Sequence, residues 1–281
     1  MAAARTNAGS QVLDVISSAE WKPRDCADIQ ESGRNVSGRY AIYPDDCDDP
    51  FFVYCDMETD RGGWTVFQKR LDGGVDFDRD WSAYKHGFGS VTGEHWLGNE
   101  RIRRIASQKL YQLRIDLEDF ERETRYAEYR TFRLSDENTN YVLRVGHYTG
   151  DADYLFARLS FLYSFIISSI SSVLSSPFSS CPAPSLYHYQ GNGLTSHSNR
   201  PFTTKDRDND AHEGNCAATF FGGWWYYACH ATSLNGLYLA GPHEATSQGV
   251  NWSPWKGHRY SLKRAEMKLR PLSALARLEG L

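Results

Sequence analysis

The residues best suited to chemistry form one run, Lys205-Asp206-Arg207-Asp208-Asn209-Asp210, followed by Ala211-His212-Glu213-Gly214-Asn215-Cys216. Acidic residues at alternate positions can bring two or three carboxylates onto one hard cation, with backbone carbonyls completing an oxygen shell. The spacing matches the opening of an EF-hand loop. Ala211 stands at the glycine position and Ala217 at the position of the bidentate glutamate, so an EF-hand is excluded. A solvated acidic turn is the alternative reading. A second group follows: Gly222-Gly223-Trp224-Trp225-Tyr226-Tyr227, then Cys229-His230 and Ser233-Leu234-Asn235-Gly236. Aromatic rings beside a cysteine and a histidine can wall a shallow recognition pocket, although such rings more often pack a core. Catalytic signatures are missing. No G-x-S-x-G, H-E-x-x-H or Walker A pattern occurs, His212-Glu213 and His243-Glu244 lack a second histidine, and Gly191-Asn192-Gly193 lacks the third glycine of a dinucleotide loop.

The chain that must position these groups has 281 residues, 41% of them hydrophobic, 23% charged and 14% aromatic. That is enough for one substantial core or two small ones, and too aromatic for a disordered chain. A net charge of -4 argues against binding nucleic acid through a general basic field. Of the six cysteines (Cys26, Cys47, Cys55, Cys181, Cys216, Cys229), none forms a C-x-x-C pair. Cys26 with Cys55 and Cys216 with Cys229 look natural as local pairs, and the second would close a loop worth roughly 3 kcal/mol. Six cysteines allow fifteen connectivities, so the residues alone leave the pairing open. Reduced cysteines in a cytosolic chain are the alternative. Met1 to Glu20 lack the basic start and apolar core of a signal peptide, so an extracellular protein is expected to be truncated or mis-started here. Asn35-Val36-Ser37 and Asn251-Trp252-Ser253 are glycosylation sequons.

Arg39 to Tyr43, Phe51 to Tyr54 and Trp64 to Gln68 carry the β-branched and aromatic residues of strands. Leu97, Ile102 and Ile105 fall near helical spacing, which places a short amphipathic helix within residues 94–106. Tyr111, Leu113, Ile115 and Leu117 alternate with polar residues, as do Tyr141, Leu143 and Val145, the pattern of half-buried strands. From Thr203 the chain turns loop-rich and aromatic. The result is an α+β chain with antiparallel strands, a few short helices and many loops.

Residues 153–190 stand apart, with serine dominating among Phe, Leu, Ile and Pro. A membrane span within Leu159 to Leu174 is too short and too rich in serine, and a buried helix finds no regular face. The preferred reading is a translated intron tail, because these residues have pyrimidine-rich codons and the stretch closes on Tyr189-Gln190. Its removal joins Ala152 to Gly191 and takes Cys181 out of the native disulfide set.

Three series of motifs identify a relationship. The first is Cys55-Asp56-Met57, Gly62-Gly63-Trp64-Thr65-Val66-Phe67-Gln68, Asp80-Trp81, Tyr84, Gly87-Phe88-Gly89 and Gly93-Glu94-His95-Trp96-Leu97-Gly98-Asn99. The second is Thr203-Thr204-Lys205-Asp206, Asn215-Cys216-Ala217, Trp224-Trp225-Tyr226, Cys229-His230, Leu234-Asn235-Gly236, Tyr238-Leu239 and Asn251-Trp252. The third is Tyr260-Ser261-Leu262-Lys263 with Glu266-Met267-Lys268-Leu269-Arg270-Pro271. Together they resemble the fibrinogen C-terminal (fibrinogen-related) domain over residues 25–271, with 1–24 and 272–281 outside it. The ficolin, tachylectin and fibrinogen C domain-containing receptor group resembles the chain most, with microfibril-associated glycoprotein near.

The resemblance implies an N-terminal disulfide subdomain, a central antiparallel sheet with short helices, and a loop-rich C-terminal subdomain carrying calcium and ligand. It implies the pairs Cys26–Cys55 and Cys216–Cys229, and leaves Cys47 free or bonded to another chain. It implies Ca²⁺ on the side chains of Asp208 and Asp210 and the carbonyls of His212 and Gly214, with Asp206 outside the set. Sites of this kind bind calcium with dissociation constants of about 0.1–1 mM. It implies a pocket for acetyl groups at Phe220, Cys229, His230, Thr246 and Ser247, with a cis Cys229–His230 peptide. Thr246-Ser247 departs from the Tyr-Ala of acetyl binders, which removes apolar contact on the order of 1–3 kcal/mol. The expected function is calcium-dependent, lectin-like, non-enzymatic recognition of acetylated or related glycans by a secreted, homo-oligomeric protein of innate immunity. The rival is an extracellular-matrix or receptor-ligand protein–protein module that does not bind acetyl groups.

Overall fold

The computed structural model describes residues 21–46, 48–152 and 191–274. Cys47, Cys181 and the 153–190 stretch lie outside the described residues. The chain enters through helix α1 (Cys26–Glu31), whose N-cap Asp25 accepts from the amides of Ala27 and Asp28 at 3.0 and 3.1 Å. The Cys26–Cys55 disulfide ties that helix to strand β2 (Phe51–Asp56), which pairs with β1 (Gly38–Ile42). This is the expected N-terminal disulfide unit.

The main sheet runs β1-β2-β3-β13-β6-β7-β8, with β3 at Trp64–Arg70, β6 at Tyr111–Glu118, β7 at Thr124–Leu134, β8 at Leu143–Gly150 and β13 at Arg264–Pro271. Two short strands, β4 (Phe88–Gly89) and β5 (His95–Trp96), pair beside β3. All of these pairings are antiparallel. Alternation explains the two faces of the sheet. Ala265, Met267 and Leu269 of β13 point into the core beside Leu113, Ile115 and Leu117 of β6. Glu266, Lys268 and Arg270 lie on the opposite face, opposite Asp116, Arg114 and Gln112. Lys268 is only 2% exposed there, held by Asp56 and Asp116 at 2.6 Å and by Glu266 at 3.0 Å. A buried ammonium persists only with such partners.

Two helices, α2 (Trp81–His86) and α3 (Asn99–Gln108), cover the core face, and α3 confirms the expected amphipathic helix. An aromatic pile of Tyr84, Trp96, Phe202 and Trp225 joins sheet and helices to the C-terminal loops, with ring centroids 5.1 to 6.0 Å apart. Polar side chains of β3 clamp the same loops. Gln68 donates to the Leu234 carbonyl at 3.0 Å and Arg70 to the Gly236 carbonyl at 2.7 Å. Buried Glu94 holds the 71–75 turn, accepting from the amides of Leu71, Asp72, Gly73 and Val75. Between Thr203 and β13 the described structure consists of loops, the helices α4 (Cys216–Phe220) and α5 (Ser253–Lys256), and four two-residue strands: β9 (Thr232–Ser233), β10 (Gly241–Pro242), β11 (Asn251–Trp252) and β12 (Tyr260–Ser261). They form two ladders, β9 with β11 and β10 with β12.

Candidate functional site

The acidic run becomes a loop between the Thr203–Thr204 bridges and α4. Its entry is pinned by the side chains of Asp206 and Asn209. Asp206 accepts from the Trp81 amide at 2.9 Å and from the Thr204 hydroxyl at 2.7 Å, and Asn209 donates to the Phe202 carbonyl at 2.7 Å. Asp206 therefore joins the loop to α2. Its exit is fixed by Asn215, whose side chain caps α4 through the Ala218 amide at 2.9 Å and donates to the Thr204 carbonyl at 3.0 Å.

Between these anchors stand the four expected positions. Asp208 is exposed and accepts from the Asp210 amide at 3.2 Å. Asp210 accepts from the His212 and Cys216 amides, both at 2.9 Å. Burial first, and then the neighbouring Asp208 charge, raise the Asp210 pKa against those two amides. Adjacent carboxylates of this kind, with the nearby His212 and Gly214 carbonyls, are donors suited to a hard divalent cation. Nδ1 of His212 accepts from the Gly214 amide at 3.1 Å. His212, Cys216 and Cys229 also offer ligand-type atoms within 4.8 Å of one another. Both sulfurs are committed to the Cys216–Cys229 disulfide, which removes thiolate ligation.

That disulfide carries the loop into the second group. Cys229 and His230 follow the buried Trp224-Trp225-Tyr226 segment. The His230 ring meets Phe220 edge-on at 4.8 Å and Tyr226 at 5.6 Å. Its Nε2 donates to the Ser247 carbonyl at 3.1 Å, while Nδ1 is sealed from solvent without a partner. Burial, reinforced by His197 and His258, lowers the His230 pKa to about 3, so the ring is neutral and Nδ1 is a bare acceptor. His197 is satisfied on both sides: Nδ1 donates to Trp225 O at 2.7 Å, and Nε2 accepts from the Ala231 and Thr232 amides at 3.4 Å. Its role is to hold the chain beneath the site.

The structure thus brings Phe220, Cys229, His230 and Ser247 together. Thr246 is exposed on the same loop, where its hydroxyl meets Arg259 Nε at 3.4 Å. The cis peptide lies one residue earlier than expected, at Ala228–Cys229 and not at Cys229–His230. Sequence spacing located the Cys-His pair but carried no signal for which of two adjoining peptides is inverted. One group at the site had no signature in the sequence. His258 binds the Ser247 hydroxyl through Nδ1 at 2.8 Å, and among the described residues no carboxylate hydrogen-bonds that imidazole in turn. Tyr227 projects outward beside the pocket, 47% exposed. A separate cavity of about 430 Å³ opens on the polar sheet face, lined by Lys69, Asp116, Arg125, Arg264, Glu266 and Lys268. Its buried charges are paired with one another.

Comparison with known proteins agrees with this architecture. Residues 22–272 match the family model described as the fibrinogen beta and gamma chains, C-terminal globular domain. The chain is 44% identical over 255 residues to fibrinogen C domain-containing protein 1-A of Xenopus laevis, covering 89% of this chain and 48% of that protein. It is 44% identical over 252 residues to human fibrinogen C domain-containing protein 1, covering 88% of this chain and 46% of that protein. It spans about half the length of the curated relatives it matches. Among solved structures it is similar to the fibrinogen-like globe domain of human ANGPTL2, with a TM-score of 0.74, 37% identity and coverage of 89% and 99%. It is similar also to the lamprey fibrin D-dimer complexed with the peptide Gly-His-Arg-Pro-amide, with a TM-score of 0.71, 36% identity and coverage of 90% and 75%. Domains of this kind are ligand-binding modules of extracellular proteins, and nothing in the site indicates catalysis. Motifs, fold and relatives agree: the chain belongs to the fibrinogen C-terminal domain family.

Proposed function

We propose that this chain is a calcium-dependent recognition domain of lectin type that binds acetylated or related glycans in innate immune pattern recognition. One observation carries the reading, the coupling of the acidic loop to the pocket. Asp210 holds the Cys216 amide, Cys216 is bonded to Cys229, and Cys229 adjoins His230. Ca²⁺ at Asp208, Asp210 and the carbonyls of His212 and Gly214 would neutralise the paired carboxylates and order the loop. Loop order then passes through the disulfide to the wall formed by Phe220 and His230. Phe220, edge-on to the His230 ring, suits the methyl of an acetyl group. A pocket this small grips few ligand atoms, so affinity per site is modest and useful binding comes from homo-oligomers. Secretion accords with the two disulfides.

The test is an immobilised N-acetylated resin. Retention in millimolar Ca²⁺, with release by chelator and by free acetate, is the expected result; passage through the column in Ca²⁺ refutes the reading. One observation favours the second reading, a protein–protein module at the same face: the similar lamprey structure holds a peptide ligand. Saturable, calcium-dependent binding of that peptide by a chain that ignores acetylated resin would establish it.

A further inference from the structure

Of the two glycosylation sequons, the fold closes one and leaves the other open. Asn251 is fully buried in β11. Its Nδ2 donates to the Tyr260 carbonyl at 2.7 Å, its own carbonyl accepts from the Thr232 hydroxyl at 2.6 Å, and its side-chain oxygen is sealed from solvent. Trp252, the next residue, is buried too, and its indole N–H is taken by the Ala152 and Gly191 carbonyls. A sugar on the Asn251 nitrogen would have to break the bond to Tyr260 and enter a close-packed interior.

Asn35 has the opposite surroundings. It lies in the turn that leads from α1 to β1, inside the exposed run 31–36. Its Nδ2 reaches the Gly33 carbonyl at 3.4 Å, a contact at the weak limit of a hydrogen bond. The rest of the sequon is held in place around it. The Val36 carbonyl accepts from the Tyr40 hydroxyl at 2.8 Å, and the Ser37 hydroxyl accepts from the Met57 amide at 3.0 Å. The amide nitrogen that a glycan needs is therefore presented to solvent by an ordered turn.

That turn borders an edge in need of cover. β1 ends the main sheet, so one of its sides has no neighbouring strand among the described residues. Open edges of this kind pair with a second chain unless something blunts them. Apolar side chains add to the hazard here. Val36 is 74% exposed, and half-exposed are Phe52, paired with Ala41 of β1, and Trp21, which stacks under Arg34 of the same turn.

We propose that Asn35 carries an N-linked oligosaccharide, that Asn251 carries none, and that the sugar at Asn35 screens the open side of β1. Extracellular domains of this kind meet the glycosylating transferase during synthesis. The donor is an oligosaccharide on a polyprenyl diphosphate. Nδ2 of Asn35 bonds to the anomeric carbon of the first sugar, and the bond from that carbon to the diphosphate oxygen breaks. The diphosphate leaves with the electron pair, and one Nδ2 proton passes to a base of the transferase. A branched, hydrated chain anchored just ahead of Gly38 can sweep a five-residue strand, about 17 Å long. Molecules modified at Asn251 before folding cannot close the β9–β11 ladder and are lost from the folded pool.

The experiment secretes the full chain from insect cells behind a cleavable signal sequence, beside Asn35→Gln. Mass spectrometry is run before and after enzymatic release of N-glycans in heavy-oxygen water, which labels each asparagine that carried sugar. The expected result is a mass increment in the parent that vanishes on release and is missing in Asn35→Gln, with label on the Asn35 peptide and none on the Asn251 peptide. A parent without sugar, or folded protein with sugar on Asn251, overturns the proposal. Sedimentation velocity over a concentration series then compares the glycosylated parent, the same material after release, and Asn35→Gln. Both sugar-free forms are expected to show added concentration-dependent association that the glycosylated parent lacks. Release acts on protein already folded, so a folding defect in the variant cannot imitate this result. Identical sedimentation with and without the sugar overturns the screening role.

Discussion

On the proposed function Asp210 is the residue through which the loop would answer to calcium, because one carboxylate would serve both the two amides of the turn and the cation. Asp210→Asn keeps the shape but loses the charge. It is expected to weaken Ca²⁺ binding by at least tenfold in calorimetry and to lower stability by about 1–2 kcal/mol in urea melts. Histidines govern a separate behaviour. Burial drives the pKa of His197 down to about 4 and that of His230 to about 3, whereas both lie near 6.5 in the unfolded chain. The unfolded state therefore binds more protons below pH 6.5. The stability these two residues contribute is intact above that value and falls as pH drops toward 4, by up to about 1.4 kcal/mol per pH unit for each ring. His197→Gln should flatten the slope of unfolding free energy against pH between 6 and 4.5 by about one proton. An unchanged slope would refute the assignment. At this scale spacing marked the acidic run and the Cys229-His230 pair as candidates, and the resemblance singled out Asp208 and Asp210 within that run. The sequence was silent on His258, which reaches Ser247 from another segment of the chain.

The elements were legible in proportion to their regularity. β6 alternates cleanly and announces itself, and α3 lies close to the helical pattern read from Leu97, Ile102 and Ile105. β7 pairs with β6 through a register shift near Tyr111 and Leu113, and this breaks the period over Thr124–Leu134, so no strand was expected there. The six-residue α2 is too short to show a face. The junction flanking residues 153–190 lends itself to a direct test. The carbonyls of Ala152 and Gly191 both accept from the same Trp252 indole N–H, at 3.1 and 3.0 Å. Their two oxygens are therefore close enough for residues joined by one short link. Deleting 153–190 and fusing Ala152 to Gly191 is expected to yield a folded domain whose melting temperature equals or exceeds that of the full chain. A fusion that fails to melt cooperatively while the full chain does would show that the stretch belongs to the fold.

At the scale of the molecule, acidic loop, disulfide and pocket form one unit, through which Ca²⁺ is proposed to act. With a dissociation constant of about 0.1–1 mM, 10 mM Ca²⁺ adds roughly 1.4–2.7 kcal/mol, or about 3–10 °C in melting temperature for a domain of this size. Replacing both Cys216 and Cys229 by alanine should cost about 3 kcal/mol. It should also uncouple the two functions, so that Ca²⁺ still binds but no longer alters glycan retention; an undiminished calcium effect on retention would place the coupling elsewhere. The order of the sheet has a consequence for how such a molecule is made. β13, the last strand described, fills the gap between β3 and β6 at the centre of the sheet. Until those eight residues have left the ribosome, the strands before and after the gap have no shared partner. Nascent chains must wait half-assembled, with apolar faces open to chaperones, and a stop codon shortly upstream of Arg264 would forfeit the whole globe and not just its final strand.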